Sequence, residues 1–442
     1  MSKTWYSLPG AQHDTCPLGR LHGDWQPLRK HRIGRYRRER KQDNNAKTDK
    51  LRYNNNDVKL KTKKIMKKCS LLLTVIAAGF MVTTAQAQEE KKPLLSKPKV
   101  SGYFIGNYTA SFQDGKESNE FNIRMIRLIM KGRIAEDFEY TLQGQLNGNT
   151  ATLGSSPRMV DVNIEWQKYD FFRVKIGQFK RPFTFENLMH PIEAGFMGLG
   201  QNVTYLSGFS DRSGELASNG RDIGLQFQGD FLPDASGRNL LHYEVGVFNG
   251  QGINTGDVDQ KKDIIGGVWY APVKGVRIGL YGWEGTYARR GQWTEQDGTV
   301  RSGVKSLRNH RYAISAEYRD EDWQLRSEYI HNTGYGFLNR HQKQEDLNDA
   351  TVNWVQGNKA DGVYVVCVAP IIKQKLRVKA RYDLYRKSGN WETSKTQYDF
   401  GLNYLFNKNV ELQTQYTLVN DRSLPVGDHN YSMLNAQFCV KF

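Results

Sequence analysis

From Val100 to Phe442, apolar and polar residues alternate with a period of two. Residues 160–166 read Val-Asp-Val-Asn-Ile-Glu-Trp, and residues 376–384 read Leu-Arg-Val-Lys-Ala-Arg-Tyr-Asp-Leu. This alternation places one set of side chains on each face of a β-strand. A soluble β-sandwich also alternates, so the spacing of the strands must decide between the two fold classes.

The spacing favours an all-β fold, a 16-stranded antiparallel transmembrane β-barrel. Very short turns, such as those at 135–136, 320–321 and 407–409, alternate with long connections at 181–220, 286–307 and 333–359. An even strand number with short turns at one rim and long loops at the other is typical of outer-membrane barrels. The predicted strands are 100–112, 121–134, 137–147, 159–169, 171–180, 221–231, 240–249, 263–271, 275–285, 308–319, 322–332, 360–371, 374–386, 395–406, 409–420 and 430–442.

The last predicted strand and the fifth connection carry a family resemblance. Residues 177–183 (Gly-Gln-Phe-Lys-Arg-Pro-Phe), a long loop, and residues 220–224 (Gly-Arg-Asp-Ile-Gly) resemble the phosphate-selective porin O and P family of bacterial outer-membrane porins. The alternating final strand ends on Phe442, which is similar to the C-terminal signature of outer-membrane proteins. The resemblance implies a homotrimer, and a 40-residue connection implies a loop with a function, here one that folds into the barrel after strand 5.

Residues 66–87 have the features of a secretory signal peptide. Met66 begins a short basic stretch, residues 71–82 form an apolar core, and Ala85-Gln86-Ala87 is a small-x-small cleavage site. We therefore predict a mature chain with a periplasmic tail at 88–99, a barrel at 100–442, and export to the cell outer membrane. The alternative for residues 66–87 is a buried helix.

The N-terminal segment explains most of the formal net charge of +17. Residues 1–87 hold 19 of the 63 Lys and Arg residues and 6 of the 46 Asp and Glu residues, which leaves a net charge of about +4 for the rest. We predict that residues 1–65 are a basic disordered segment upstream of the true start at Met66. The alternative is a basic arm that binds nucleic acid or membrane; the barrel itself gives no signal for nucleic acid.

If the barrel is a pore, its chemistry is the selection of solutes by inward-facing charges. Parity places slightly more bases than acids on the inner face, which favours small anions. Residues 377–381 stack three bases on one face of a strand that lies eight strands from the one bearing Arg173, so two basic patches should face each other. The predicted anion-binding residues are Arg127, Lys131, Arg173, Lys175, Arg212, Arg221, Arg377, Lys379 and Arg381.

The long loop departs from what the resemblance implies. Phosphate-selective members rely on basic residues at the constriction, whereas residues 181–220 hold two arginines against Glu186, Glu193, Asp211 and Glu215. The prediction is a passive channel for small solutes, in particular anions such as phosphate. A general non-selective porin, and a structural or adhesive barrel whose long loops bind a ligand, remain as alternatives.

Nothing in the sequence predicts catalysis or a cofactor. The chain lacks a Gly-x-Ser-x-Gly elbow, a His-Glu-x-x-His motif and a phosphate-binding glycine loop with its lysine. Its four cysteines have no Cys-x-x-Cys spacing. Cys367 and Cys439 lie on non-adjacent predicted strands, so we expect two free thiols in the mature chain.

Overall fold

A computed structural model describes residues 94–147, 157–208, 219–338 and 348–442. The segments assigned to the signal peptide and to the basic region before it lie outside these residues. Sixteen strands and three short helices are described. The strands are β1 (Lys99–Ser111), β2 (Ser118–Ile134), β3 (Phe138–Gln145), β4 (Arg158–Tyr169), β5 (Phe172–Lys180), β6 (Arg221–Pro233), β7 (Asn239–Phe248), β8 (Asp263–Tyr270), β9 (Val276–Thr294), β10 (Val300–Arg319), β11 (Gln324–Thr333), β12 (Lys359–Ile372), β13 (Leu376–Arg386), β14 (Ser394–Asn407), β15 (Val410–Asp421) and β16 (Asn430–Lys441). The helices are α1 (Phe185–Leu188), α2 (Gln201–Leu206) and the 3-10 turn Trp391–Thr393.

The strands form one closed barrel in which each strand pairs antiparallel with its neighbours in sequence, and β1 closes the ring against β16. In that closing ladder Tyr103 is the partner of Lys441 and Ser111 is the partner of Met433. The predicted strand number and antiparallel barrel are therefore confirmed.

The two faces of the barrel wall differ as the alternation predicts. Val366 in β12 is completely buried toward the interior, whereas its neighbour Val365 is 50% exposed on the outer face. Leu280 and Ile314, which are cross-strand partners on β9 and β10, are also exposed outward. Since these outer residues are apolar over most of the barrel height, the outer surface suits a hydrocarbon environment. Among the described residues, no helix has the length and apolarity needed to span a bilayer.

Aromatic side chains gather on the outer face toward both ends of the strands. Tyr404, Phe406 and Phe438 form one contacting group near the short turns, and Tyr312 contacts Tyr329 nearer the opposite rim. Such belts are typical of the two membrane–water interfaces.

The predicted loop at 286–307 is wrong, because β9 and β10 continue through most of it. These strands are 19 and 20 residues long and form a hairpin whose turn is closed by the hydrogen bond from the Glu295 amide to the Thr299 carbonyl at 2.9 Å. A membrane-spanning strand needs only about 9–11 residues, so the hairpin extends beyond the barrel. Tyr287 and Trp293 of this extension pack with Phe337 and Val352 of the connection between β11 and β12. This small hydrophobic core keeps the extension in a β-conformation.

Candidate functional site

The described part of the connection between β5 and β6, residues 181–208, packs on side chains of the inner wall. Its first anchor is Glu186 in α1, which is completely buried and lies 2.8 Å from Arg326 of β11. The amides of Phe185 and Glu186 donate to one carboxylate oxygen of Glu328, at 2.6 and 3.1 Å. The Gly200 amide donates to the other oxygen of Glu186 at 2.7 Å, so this one carboxylate joins both halves of the segment to the wall.

Wall side chains also donate to a series of carbonyl groups in this segment. Lys379 donates to Gly195 O at 2.9 Å, and Arg381 donates to Gly198 O at 2.8 Å. The Gln413 amide group donates to Ile192 O at 3.1 Å. Because the donors come from β13 and β15, the segment is fastened to one side of the wall.

A cavity of about 570 Å³ lies between this segment and wall residues of β1, β2, β5, β6 and β13–β16; we call it the basic cavity. No carboxylate is found among the described residues that line it. Its charged lining residues are Arg124, Arg127, Lys180, Arg221 and Arg381. Arg381 is paired with the buried Asp399 at 2.6 Å, so the positive potential in the cavity comes mainly from the other bases.

Two of these bases, Lys180 and Arg221, come from the neighbouring strands β5 and β6. Arg221 makes a two-contact ion pair with Asp161, Nε to Oδ1 at 2.7 Å and Nη2 to Oδ2 at 3.0 Å. Its direct cross-strand partner is Lys180, and like charges in that position repel. Lys180 donates to the neutral Met189 carbonyl at 2.5 Å, so one carboxylate offsets two bases and the group stays positive.

Arg127 and Arg124 extend this basic group along β2. Arg127 is 2% exposed and donates to Gln145 Oε1 from Nε at 3.3 Å and from Nη2 at 3.1 Å. Arg124 donates to Gln437 Oε1 at 2.8 Å. Both arginines use neutral acceptors in these contacts, which leaves their charge available to a solute.

A second cavity of about 450 Å³ has walls of mixed charge; we call it the mixed cavity. It shares Arg127, Lys180 and Arg221 with the basic cavity, so these three bases lie where the two spaces meet. Its other charged lining residues are Lys131, Lys175, Glu139, Asp161, Glu165 and Glu244. His190 also lines it, with its ring 4.5 Å from the Tyr103 ring, and burial lowers the pKa of His190 to about 4.

The predicted anion-binding residues fall into different environments. Arg127 and Arg221 line the basic cavity, whereas Lys379 and Arg381 hold the 181–208 segment, with Arg381 also reaching the cavity. Four others sit in ion pairs or at the short-turn rim: Arg173 with Asp230 at 2.7 Å, Lys175 with Glu165 at 3.1 Å, Lys131 with Glu139 at 3.9 Å, and Arg377 with Asp322 at 3.6 Å. Arg212 lies outside the described residues.

Two bases that line the basic cavity, Arg124 and Lys180, were not predicted because both lie where the alternation is interrupted. The register of β1 and β2 shifts between Ile105 and Gly106, which inserts Arg124 into the inward set beside Met125. Lys175 and Lys180 are five residues apart, yet both line the mixed cavity. Gly177 lies between them with a φ of 126°, a value that favours glycine, so the glycine itself was the available sequence signal.

Two acidic residues of the long loop contact basic residues of the barrel wall. Glu186 is paired with Arg326, and Glu193 lies 3.7 Å from both Arg319 and Lys441. These loop acids are therefore offset by wall bases, so they do not oppose the potential of the basic cavity. Asp211 and Glu215 lie outside the described residues.

The cysteines at 367 and 439 are both free thiols, as expected. Within the described ranges, no group of His, Cys, Asp and Glu side chains is arranged to hold a metal ion.

Comparison with known proteins places this geometry in context. The sequence model of the family "Phosphate-selective porin O and P" matches residues 101–229. No curated protein sequence matches the chain.

Solved structures with the same fold are porins and an outer-membrane channel at low identity. An anion-selective porin from Comamonas acidovorans is 13% identical and aligns over 79% of this chain and 100% of its own, with a TM-score of 0.55. The outer membrane channel DcaP of Acinetobacter baumannii is 10% identical over 81% and 100%, with a TM-score of 0.53. OmpF of Salmonella typhi, in complex with daunomycin, is 14% identical over 78% and 97%, with a TM-score of 0.53. The chain therefore has the β-barrel fold of these porins, and over residues 101–229 its sequence matches the model of the phosphate-selective porin O and P family that it resembles.

Proposed function

We propose that this porin is a passive outer-membrane channel that favours small anions, with phosphate as one candidate solute. The observation that carries the proposal is the basic cavity, whose described lining holds five bases and no carboxylate. In this proposal residues 181–208 are the inward-folded loop that narrows the pore. The passage then runs between that loop and the bases of β2, β5 and β6.

The direct test is the reversal potential of the purified protein in planar bilayers under a potassium chloride gradient. Chloride should permeate more readily than potassium. The double variant Arg124→Gln with Lys180→Gln removes two lining bases and should reduce the chloride-to-potassium permeability ratio severalfold. Lys168→Gln, an exposed residue of β4 outside the described linings of both cavities, should leave the ratio unchanged. Cation preference in the unmodified channel would contradict the proposal.

Phosphate as the preferred solute is supported by the family match and is tested separately. Addition of millimolar phosphate to a channel carrying chloride should reduce the chloride current if phosphate occupies the basic cavity. Unchanged chloride current with intact anion preference favours a general anion porin. A protein that inserts but passes no ions favours the adhesive alternative.

We also propose that the protein is exported by the signal peptide 66–87 and works as a homotrimer in outer-membrane lipid. The family resemblance supports the trimer. Chemical cross-linking in native membranes should give a threefold species, and sequencing of the purified protein should give a mature N-terminus near Gln88. Recovery of residues 1–65 on exported protein would contradict the proposed start at Met66.

A further inference from the structure

The basic cavity has a second, apolar side that selection of inorganic anions does not require. The structure describes six methionines, and four of them line this one cavity: Met125, Met189, Met197 and Met433. Phe196 and Leu199 lie beside them. In a water-filled channel these positions would ordinarily be polar, so the concentration of thioether side chains calls for a reason.

Thioether side chains are apolar, flexible and polarizable, and they adapt to apolar groups of varied shape. They give a hydrated inorganic anion no hydrogen bond that could replace its water. An apolar solute group that leaves water against them contributes about 0.8 kcal/mol for each CH2, which is roughly a fourfold gain in affinity. The apolar side therefore adds affinity only for solutes that carry an apolar part.

The methionines approach the bases from both the wall and the loop. Met125 and Met433 are wall residues like Arg124, Lys180 and Arg221, whereas Met189 and Met197 belong to the 181–208 segment. The wall bonds described above, from Lys379 and Arg381 to carbonyls 195 and 198, flank Met197 in sequence and fix its backbone. A volume of about 570 Å³ is within the range of small-molecule sites in proteins.

We propose that the basic cavity is a binding subsite for amphipathic organic anions, carboxylates with a short apolar chain, whose charged group contacts the bases and whose chain contacts the methionines. This inference rests on the proposed anion channel and narrows its solute class. In this arrangement the segment between β5 and β6 contributes solute specificity as well as the width of the passage.

The test compares acetate with hexanoate as blockers of chloride current through the full-length exported protein in planar bilayers. Hexanoate should block at a concentration about tenfold lower than acetate, the factor expected when between one and two of its four additional methylene groups leave water. Inorganic phosphate serves as the probe for charge alone.

Two sets of variants separate the apolar contribution from the charge. Met189→Gln with Met197→Gln keeps the side-chain length and should reduce the tenfold difference between hexanoate and acetate to about threefold or less. Met433→Gln, placed on β16 rather than on the loop, should act in the same direction and covers the case in which the double variant fails to assemble. Arg124→Gln with Lys180→Gln should weaken block by acetate and hexanoate equally.

The outcomes distinguish this inference from the function on which it rests. If hexanoate and acetate block alike, or if the methionine variants leave the difference intact, the organic-anion subsite is wrong although the anion channel stands. If the unmodified channel prefers cations or does not conduct, the proposed function fails and the subsite fails with it.

Discussion

The Glu186 carboxylate lies 2.8 Å from the guanidinium group of Arg326, and both side chains are completely buried. The two residues belong to α1 and β11, and the contact fastens the connection between β5 and β6 to the opposite part of the barrel. Without the Glu186 carboxylate, Arg326 keeps only the longer contact with Glu317 at 3.5 Å, so the loss should approach, without reaching in full, the cost of about 3–5 kcal/mol for a broken buried ion pair.

We therefore expect Glu186→Gln to loosen this connection without opening the barrel. Single-channel recordings should show more open-channel noise and a higher mean conductance than those of the unmodified protein. Glu193→Gln is the matched control because its carboxylate is 43% exposed and its ion contacts are 3.7 Å long, which makes them worth about 0–1 kcal/mol. Recordings of the Glu186 variant that match this control would show that the ion pair does not hold the connection.

Gly177 tests the backbone geometry that brings Lys180 into the pore wall. Its φ is 126°, and a Cβ placed there would lie 2.2 Å from the Val162 carbonyl oxygen. Gly177→Ala should reduce the free energy of unfolding by at least about 1–3 kcal/mol, the cost of such strain. Gly237→Ala has a similar positive φ of 79° with open space around it, and it should cost less. Urea titration in detergent micelles measures both, and equal losses would contradict the steric argument.

The outward exposure of Leu280 predicts its response to a charge. Leu280 is 58% exposed in the barrel part of β9, where a lipid contact is expected. Leu280→Arg should destabilise the membrane-inserted barrel by about 2–4 kcal/mol, as arginine does near the midplane of other barrels. Val300→Arg, at the far end of the β9–β10 hairpin, should have little effect on folding into lipid vesicles. A comparable loss in both variants would place the hairpin in lipid as well.

His190 predicts a pH dependence of stability. Burial is the main cause that lowers its pKa from 6.5 to about 4, so the folded protein holds the ring neutral. The neutral Nδ1 also accepts the Ile192 amide hydrogen bond at 3.3 Å. As the pH falls, the unfolded chain binds a proton at this histidine before the folded protein does. The free energy of unfolding should therefore decrease between pH 6.5 and about pH 4, and His190 should cause no further change above or below this range.

A comparison with His190→Gln isolates this contribution from other titrating groups. Urea titration at several pH values measures the free energy of unfolding of both proteins. As the pH falls from 6.5 to 4, the unmodified protein should lose stability relative to the glutamine variant. Parallel stability curves across this range would exclude His190 as the cause.

Much of the barrel was predictable because two local signals agree. Alternation identifies each strand, and short turns such as 407–409 separate consecutive strands with little ambiguity. Both β9 and β10 were predicted, but their extension through 286–307 was missed because Arg289-Arg290-Gly291 lacks an apolar alternation and resembles a loop. Its strand geometry depends on packing with Phe337 and Val352, which lie more than 40 residues away in the chain.

The site was less predictable because its organisation depends on contacts between distant residues. Parity identified Arg127 as an inward base, whereas Arg221 was predicted from its place at the end of the long loop; both line the basic cavity. Parity could not find Arg124, since a register shift moves it inward, and it could not reveal that Lys379 and Arg381 bond to loop carbonyls about 184 and 183 residues away.

The pairing of β1 with β16 has a consequence for how the molecule is made. The ring joins the first strand described to the last, so every shorter intermediate has two unpaired edges that can add strands from other molecules. The seam is also the contact of greatest sequence separation, which makes it slow to find by diffusion of the chain. During assembly the unpaired edge of β1 must therefore be protected until β16 pairs with it. Variants that weaken the pairing of Tyr103–Ser111 with β16 should aggregate before they form a leaky barrel.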